Sequence, residues 1–123
     1  MTERIKTDIE RLKKDFPGLI VTELTDGTVY VKIPEFHLTD WWTPPISRLL
    51  LVIKPDFPQT CPQFYVREDI QRPDKQPPAG ASGPQKIDGE QWKSLCWQWN
   101  WNPTKETLWR LVKAIKQRFY EQA

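Results

Sequence analysis

Cys96 is the residue of this chain best placed for nucleophilic chemistry. It stands in Trp92-Lys-Ser-Leu-Cys-Trp-Gln-Trp-Asn-Trp-Asn-Pro103, after a long Pro- and Gly-rich stretch and before a helical periodicity. A thiol there is held at the edge of ordered structure yet can meet solvent, and Cys is appreciably nucleophilic at neutral pH at an ordinary pKa. The same residue type also packs as a small hydrophobe, and that reading stands beside the first. A base-activated pair needs His37, the one histidine, brought to Cys96 by the fold; neither residue lies in a cysteine-protease signature. A thiol without an adjacent base suits chemistry in which an already activated acyl group is handed to it.

The other chemical candidates are weaker. Trp97, Trp99 and Trp101 alternate, so an extended backbone sets the three indoles on one side and Cys96, Gln98, Asn100 and Asn102 on the other. Such a ladder can stack bases or sugars, or it can cover a core beneath a loop-rich region. Single-strand binders also need a basic groove, and Lys93 and Lys105 are the nearby cations. Gly80-Ala-Ser-Gly83 with Lys86 fails as a phosphate loop, because Pro84-Gln85 separate the last Gly from the Lys and Ile87 follows it. Asp69, Asp74, Asp88 and Glu90 lie in the same breaker-rich stretch with no fixed separation. One His and two Cys cannot build a four-ligand structural zinc site. A net charge of +2 is too small to argue for a nucleic-acid partner.

The elements that must position these residues are legible in part. Ile5, Ile9, Leu12 and Phe16 make one stripe of a helix over 3–16, capped by Thr2 and stopped by Pro17-Gly18. Leu19–Leu24 and Thr28–Ile33 flank Asp26-Gly27 as a hairpin. Residues 36–46 read as a loop, Ser47–Lys54 as a third, central strand, and Gln63–Val66 as a short fourth. From 67 to 91 Pro73, Pro77-Pro78, Gly80, Gly83-Pro84 and Gly89 predict a long irregular connection, of a length that is commonly functional. Asn102-Pro103 predicts a helix start, and Leu108, Leu111, Val112, Ile115 and Phe119 supply its apolar face. At 123 residues, with 38% hydrophobic and 28% charged residues, the chain suits one α+β domain over 1–123. The longest aliphatic run, Leu49–Ile53, is far short of a bilayer span, and the first residues lack the apolar stretch of a secretory signal. A cytoplasmic, reducing setting with free thiols is expected.

The order of these elements and their punctuation resembles the ubiquitin-conjugating enzyme (UBC) fold. Lys54-Pro-Asp-Phe-Pro-Gln-Thr-Cys-Pro62 before Gln63-Phe-Tyr-Val is similar to that family's aromatic-Pro-x-x-Pro-Pro segment, with Cys61 in place of the first paired proline. Leu95-Cys96 resembles its active-site pair, and Trp101-Asn102-Pro103 with Thr107-Leu108 its Trp-Ser-Pro and following helix. The resemblance spans essentially the whole chain. Its closest flavour is the compact bacterial branch encoded beside activating enzymes and ubiquitin-like proteins, often in anti-phage defence operons. No His-Pro-Asn precedes Cys96.

The resemblance implies an N-terminal helix, a four-stranded antiparallel meander, a long active-site loop and a C-terminal helix. It implies a transferase that accepts a ubiquitin-like protein from an activating enzyme as a thioester on Cys96 and passes it to an amine. Asn100 is the residue that would replace the missing oxyanion donor. Lys13 and Lys14 on the first helix, and the Phe57-Pro58 turn, are where partners would dock. No metal or organic cofactor, nucleic acid or membrane is implied. A catalytically inactive UBC-like domain that binds a ubiquitin-like partner is the alternative.

Overall fold

Helix α1 spans Glu3–Asp15 in the computed structural model, which describes residues 1–97 and 100–122. Thr2 caps it: Oγ1 accepts the backbone N–H of Ile5 at 3.2 Å, satisfying one of the donors that a helix start leaves without an internal partner. The stripe Ile5, Ile9 and Leu12 is buried, and Asp8 is buried with it. Asp8 accepts Arg4 Nε at 3.1 Å and the backbone N–H of Leu108 at 3.0 Å. A buried carboxylate is tolerable only when so partnered, and this one ties α1 to the start of the second helix.

Strands β1 (Ile20–Glu23) and β2 (Val29–His37) are joined through Asp26-Gly27, where Gly27 has φ 89° and Asp26 Oδ1 accepts the N–H of Thr28 at 2.9 Å. The pairing of β2 with β3 (Ile46–Ile53) shifts register between Ile33 and Phe36. This irregularity absorbs Pro34, which has no N–H to give, so the strand runs two residues into the expected loop. Strand β4 (Gln63–Arg67) completes the antiparallel meander.

The expected irregular loop over 67–91 is corrected by the structure. Ala81–Ile87 form β5 and Glu90–Leu95 form β6, giving a six-stranded sheet in the order β1-β2-β3-β4-β6-β5. The turn between them is Asp88-Gly89, with φ 53° and 80°; two successive positive φ values are what a tight hairpin turn between twisted strands requires. Gly83 and Pro84 do not break β5 because it is the edge strand and its register shifts between Ser82 and Gln85. A missing N–H costs little there. The connection that remains irregular is 68–80.

Helix α2 spans Leu108–Gln122, starting later than Asn102-Pro103 predicted. Asn102 instead closes a separate turn, its Oδ1 accepting the N–H of Thr104 at 3.1 Å. Thr107 serves the helix, accepting the N–H of Arg110 at 3.1 Å. Both helices pack on one face of the sheet, over Val29, Val31, Ile33, Leu49, Leu51, Ile53, Phe64, Val66 and Leu95. Trp42 and Phe119 lie at the centre, the indole N–H donating to Phe119 O at 3.1 Å. The opposite face holds a smaller cluster, Leu50, Val52, Tyr65 and Trp92. Trp92 belongs to the hairpin, which is pinned to the meander by Glu90: its carboxylate meets Lys32 Nζ at 2.8 Å and Arg48 at 3.0 Å. Arg48 also lies over the Trp92 ring, 4.7 Å from its centroid. No helix among the described residues is long and apolar enough to cross a membrane.

Candidate functional site

Cys96 follows the last residue of β6 and is exposed. Its backbone is held on both sides. The Cys96 N–H donates to Gly80 O at 2.9 Å, and the Trp97 indole N–H donates to Ala79 O at 2.7 Å. Gly80 sits at φ 79°, and a Cβ there would meet Trp97 Cδ1 at 3.0 Å, so this seat needs glycine. Trp97 turns inward, its ring 5.1 Å from that of Phe119 and 6.0 Å from that of Phe64. The alternation expected from the sequence therefore holds for this pair: indole toward the core, thiol toward solvent.

Two clefts meet at Cys96. The first, about 510 Å³, is lined by Cys61–Tyr65, Gln85, Ser94–Trp97 and Trp101. The second, about 440 Å³, is lined by Ala79, Gly80, Cys96, Trp97, Arg118, Glu121 and Gln122. The first cleft exists because the β4–β6 ladder runs only from Arg67↔Trp92 to Tyr65↔Ser94. Beyond that pair the strands part, and side chains of both line the gap.

The two cysteines share this cleft but not its chemistry. Cys61 is half-buried against the helical core, and burial, followed by the negative charge of Glu106, pushes its thiol up to about 11. That keeps it protonated and unreactive near neutrality. Burial also holds the Tyr65 hydroxyl above the ordinary phenol value, and Coulomb repulsion from the Tyr30 and Cys96 side chains acts in the same direction. Tyr65 is thus a neutral donor, and its hydroxyl donates to Gln63 Oε1 at 3.1 Å.

The remaining expected residues scatter. His37 is exposed and lines a third cleft with Asp15, Glu35 and Lys116, so the fold does not bring it to Cys96 as a base. Asn100 is exposed and lines neither cleft at Cys96. Lys13 and Lys14 are exposed in the last turn of α1. Phe57 is buried, its ring 6.2 Å from that of Trp101 and 5.4 Å below the Arg4 guanidinium. That ring serves the core, so any docking at the turn falls on half-buried Pro58 and its exposed neighbours Asp56 and Gln59. Pro58 O accepts the Trp101 indole N–H at 2.7 Å. Trp97 and Trp101 are therefore anchored to the fold and offer no free-standing ladder, while Gln98 and Trp99 lie outside the described residues.

Gln63, Tyr65 and Ser94 line the cleft without any local sequence signal that marks them as site residues. Alternation in Gln63-Phe-Tyr-Val sets Gln63 and Tyr65 on one face, but their neighbour β6 stays hidden until the hairpin is recognised. Among the described residues no group of three or more His, Cys, Asp or Glu is placed to hold a metal ion. Comparison with known protein families, with curated proteins and with solved structures finds no match to this chain.

Proposed function

We propose that this protein is an acyl carrier of the ubiquitin-conjugating type. It takes the C-terminal acyl group of a ubiquitin-like protein from an activating enzyme onto Cys96 and releases it to an amine, in the cytoplasm. One observation carries the reading: the Cys96 thiol is exposed on a backbone fixed by Gly80, at the junction of two clefts. In the first step the Cys96 thiol attacks the thioester carbonyl of the ubiquitin-like protein, the C–S bond to the activating enzyme breaks, and the leaving thiolate takes up the proton that Cys96 gives to solvent. In the second an amine attacks the new thioester. A C–N bond forms, the Cys96 C–S bond breaks, and the surplus ammonium proton goes to solvent. The acyl group arrives activated, so placement and hydrogen bonds to the transient oxyanion are what the protein must supply. Exposed Lys13 and Lys14 on α1 are the docking surface this reading gives to the activating enzyme.

Mixing the chain with an activating enzyme, a ubiquitin-like protein and ATP is expected to give a thiol-sensitive adduct that Cys96→Ala abolishes. An adduct that persists in Cys96→Ala defeats the assignment. The native thiols provide a simpler check. With its thiol pushed up to about 11, Cys61 is thiolate in only about one part in a thousand at pH 8. Brief treatment with iodoacetamide should therefore add one label per chain, at Cys96. A Cys96 that stays unlabelled in the native protein leaves the non-catalytic binding domain as the reading.

A further inference from the structure

We infer that the Gln63 carboxamide is the oxyanion donor of the Cys96 site, with Tyr65 as the residue that positions it. This rests on the acyl-carrier reading above and adds the group that this reading lacks. The β4–β6 ladder ends at Tyr65↔Ser94. Gln63 and Cys96 each lie two residues past that pair along the chain, where the strands part, and both line the cleft that opens there. Residues two apart on a strand share a face, so Gln63 and Tyr65 stand together on β4, and both line the cleft, as Ser94 and Cys96 do from the chain beside it.

The amide is oriented, not merely near. Tyr65 is buried, and its hydroxyl donates to Gln63 Oε1 at 3.1 Å. With the carbonyl end of the amide so engaged, Nε2 is the end left over. Its two N–H groups meet no hydrogen-bond acceptor among the described residues, and Gln63 is exposed. An acyl carbon attacked by Cys96 sulfur would lie between the two walls, and the charge that develops on its oxygen needs donors already in place. A carboxamide N–H, fixed through its own carbonyl by a neutral phenol, meets that requirement without a charge of its own.

The test compares two reagents on the full chain. With p-nitrophenyl acetate, Cys96 sulfur attacks the ester carbonyl, an oxyanion forms, and p-nitrophenolate leaves. Iodoacetamide alkylates the same sulfur by displacement of iodide at a saturated carbon, and no oxyanion forms. Gln63→Ala is expected to slow Cys96-dependent release of p-nitrophenolate by about 10²-fold, the effect of removing one such donor. Its alkylation rate should stay within about twofold of the parent. Gln63→Glu, similar in shape but without N–H donors, should behave as Gln63→Ala does. Tyr65→Phe should lose roughly tenfold in acylation and little in alkylation, because the donor remains but its anchor is gone.

Gln63→Ala acylating at the parental rate overturns this inference alone, as does a loss shown by Asn100→Ala and not by Gln63→Ala. Parallel losses with both reagents also overturn it, since they mean that Gln63 affects the thiol and not the oxyanion. A parent protein whose Cys96 reacts with neither reagent overturns this inference and the acyl-carrier reading together.

Discussion

The two faces of the sheet solve the same problem differently. The face under α1 and α2 is largely apolar, with Phe36, Trp42, Phe119 and the inward apolar residues of β2 and β3 at or near zero exposure. Among the described residues no helix lies over the opposite face. Its cluster of Leu50, Val52, Tyr65 and Trp92 is closed at one end by the β5–β6 hairpin, which Glu90 fastens through Lys32 and Arg48. Buried area stabilises the first face; the second keeps polar groups in fixed places beside a cleft. Cys61 packs against the first and is silenced by burial, while Cys96 emerges at the rim of the second. A site that must hold a reactive group in contact with water belongs on the face that gives up some packing.

Substitutions can sharpen or break that contrast. Phe119→Ala should have the largest effect, a loss of about 3–5 kcal/mol in urea unfolding, because the ring is fully buried against Phe36, Trp42 and Trp97. Leu50→Ala, equally buried but within the smaller cluster, should lose about 2–3 kcal/mol, since an open-sided site relaxes more readily around a deletion. Equal losses at the two positions would show that the faces are packed alike.

Glu90→Gln should have the smallest effect, under about 1 kcal/mol at neutral pH, because its ion pairs are partly solvated. Its signature lies in pH dependence. The hydrogen bond from Lys32, with the charges of Arg48 and Lys32, holds the Glu90 carboxyl below its ordinary value of 4.5. A carboxylate whose folded value is depressed contributes stability above its unfolded value, and that contribution fades as pH falls through the lowered one. The stability difference between parent and Glu90→Gln should therefore shrink as the solution is acidified from pH 6 to below 4.5. A difference that stays constant over that range would mean that Glu90 does not pin the hairpin by its charge.

Local signals were readable where local rules decide. The stripe Ile5-Ile9-Leu12 and the Thr2 cap give α1 to within a residue, and Asp26-Gly27 marks its hairpin because φ above zero is needed there. Asp88-Gly89 carries the same signal with the same backbone sign at glycine, yet Pro77, Pro78, Gly80, Gly83 and Pro84 just before it mask it. Gly83 and Pro84 are harmless only because β5 lies at the edge, and edge position is a property of the assembled sheet. The start of α2 is a similar case. Asn102 is a good cap by type, but Asp8, distant in sequence, receives the first N–H of the helix at Leu108.

By itself the chain of residue types determined two amphipathic helices, a meander between them, and one thiol in a segment that alternates its faces. Each of these follows from periodicity within a few residues. Only the tertiary structure decided that Cys61 is half-buried and Cys96 exposed, that His37 lies at a different cleft, and that Gln63 and Cys96 line one cleft. The last of these depends on where β4 and β6 stop pairing, and a contact between strands some thirty residues apart is settled by the packing of the whole sheet, not by any window along the chain.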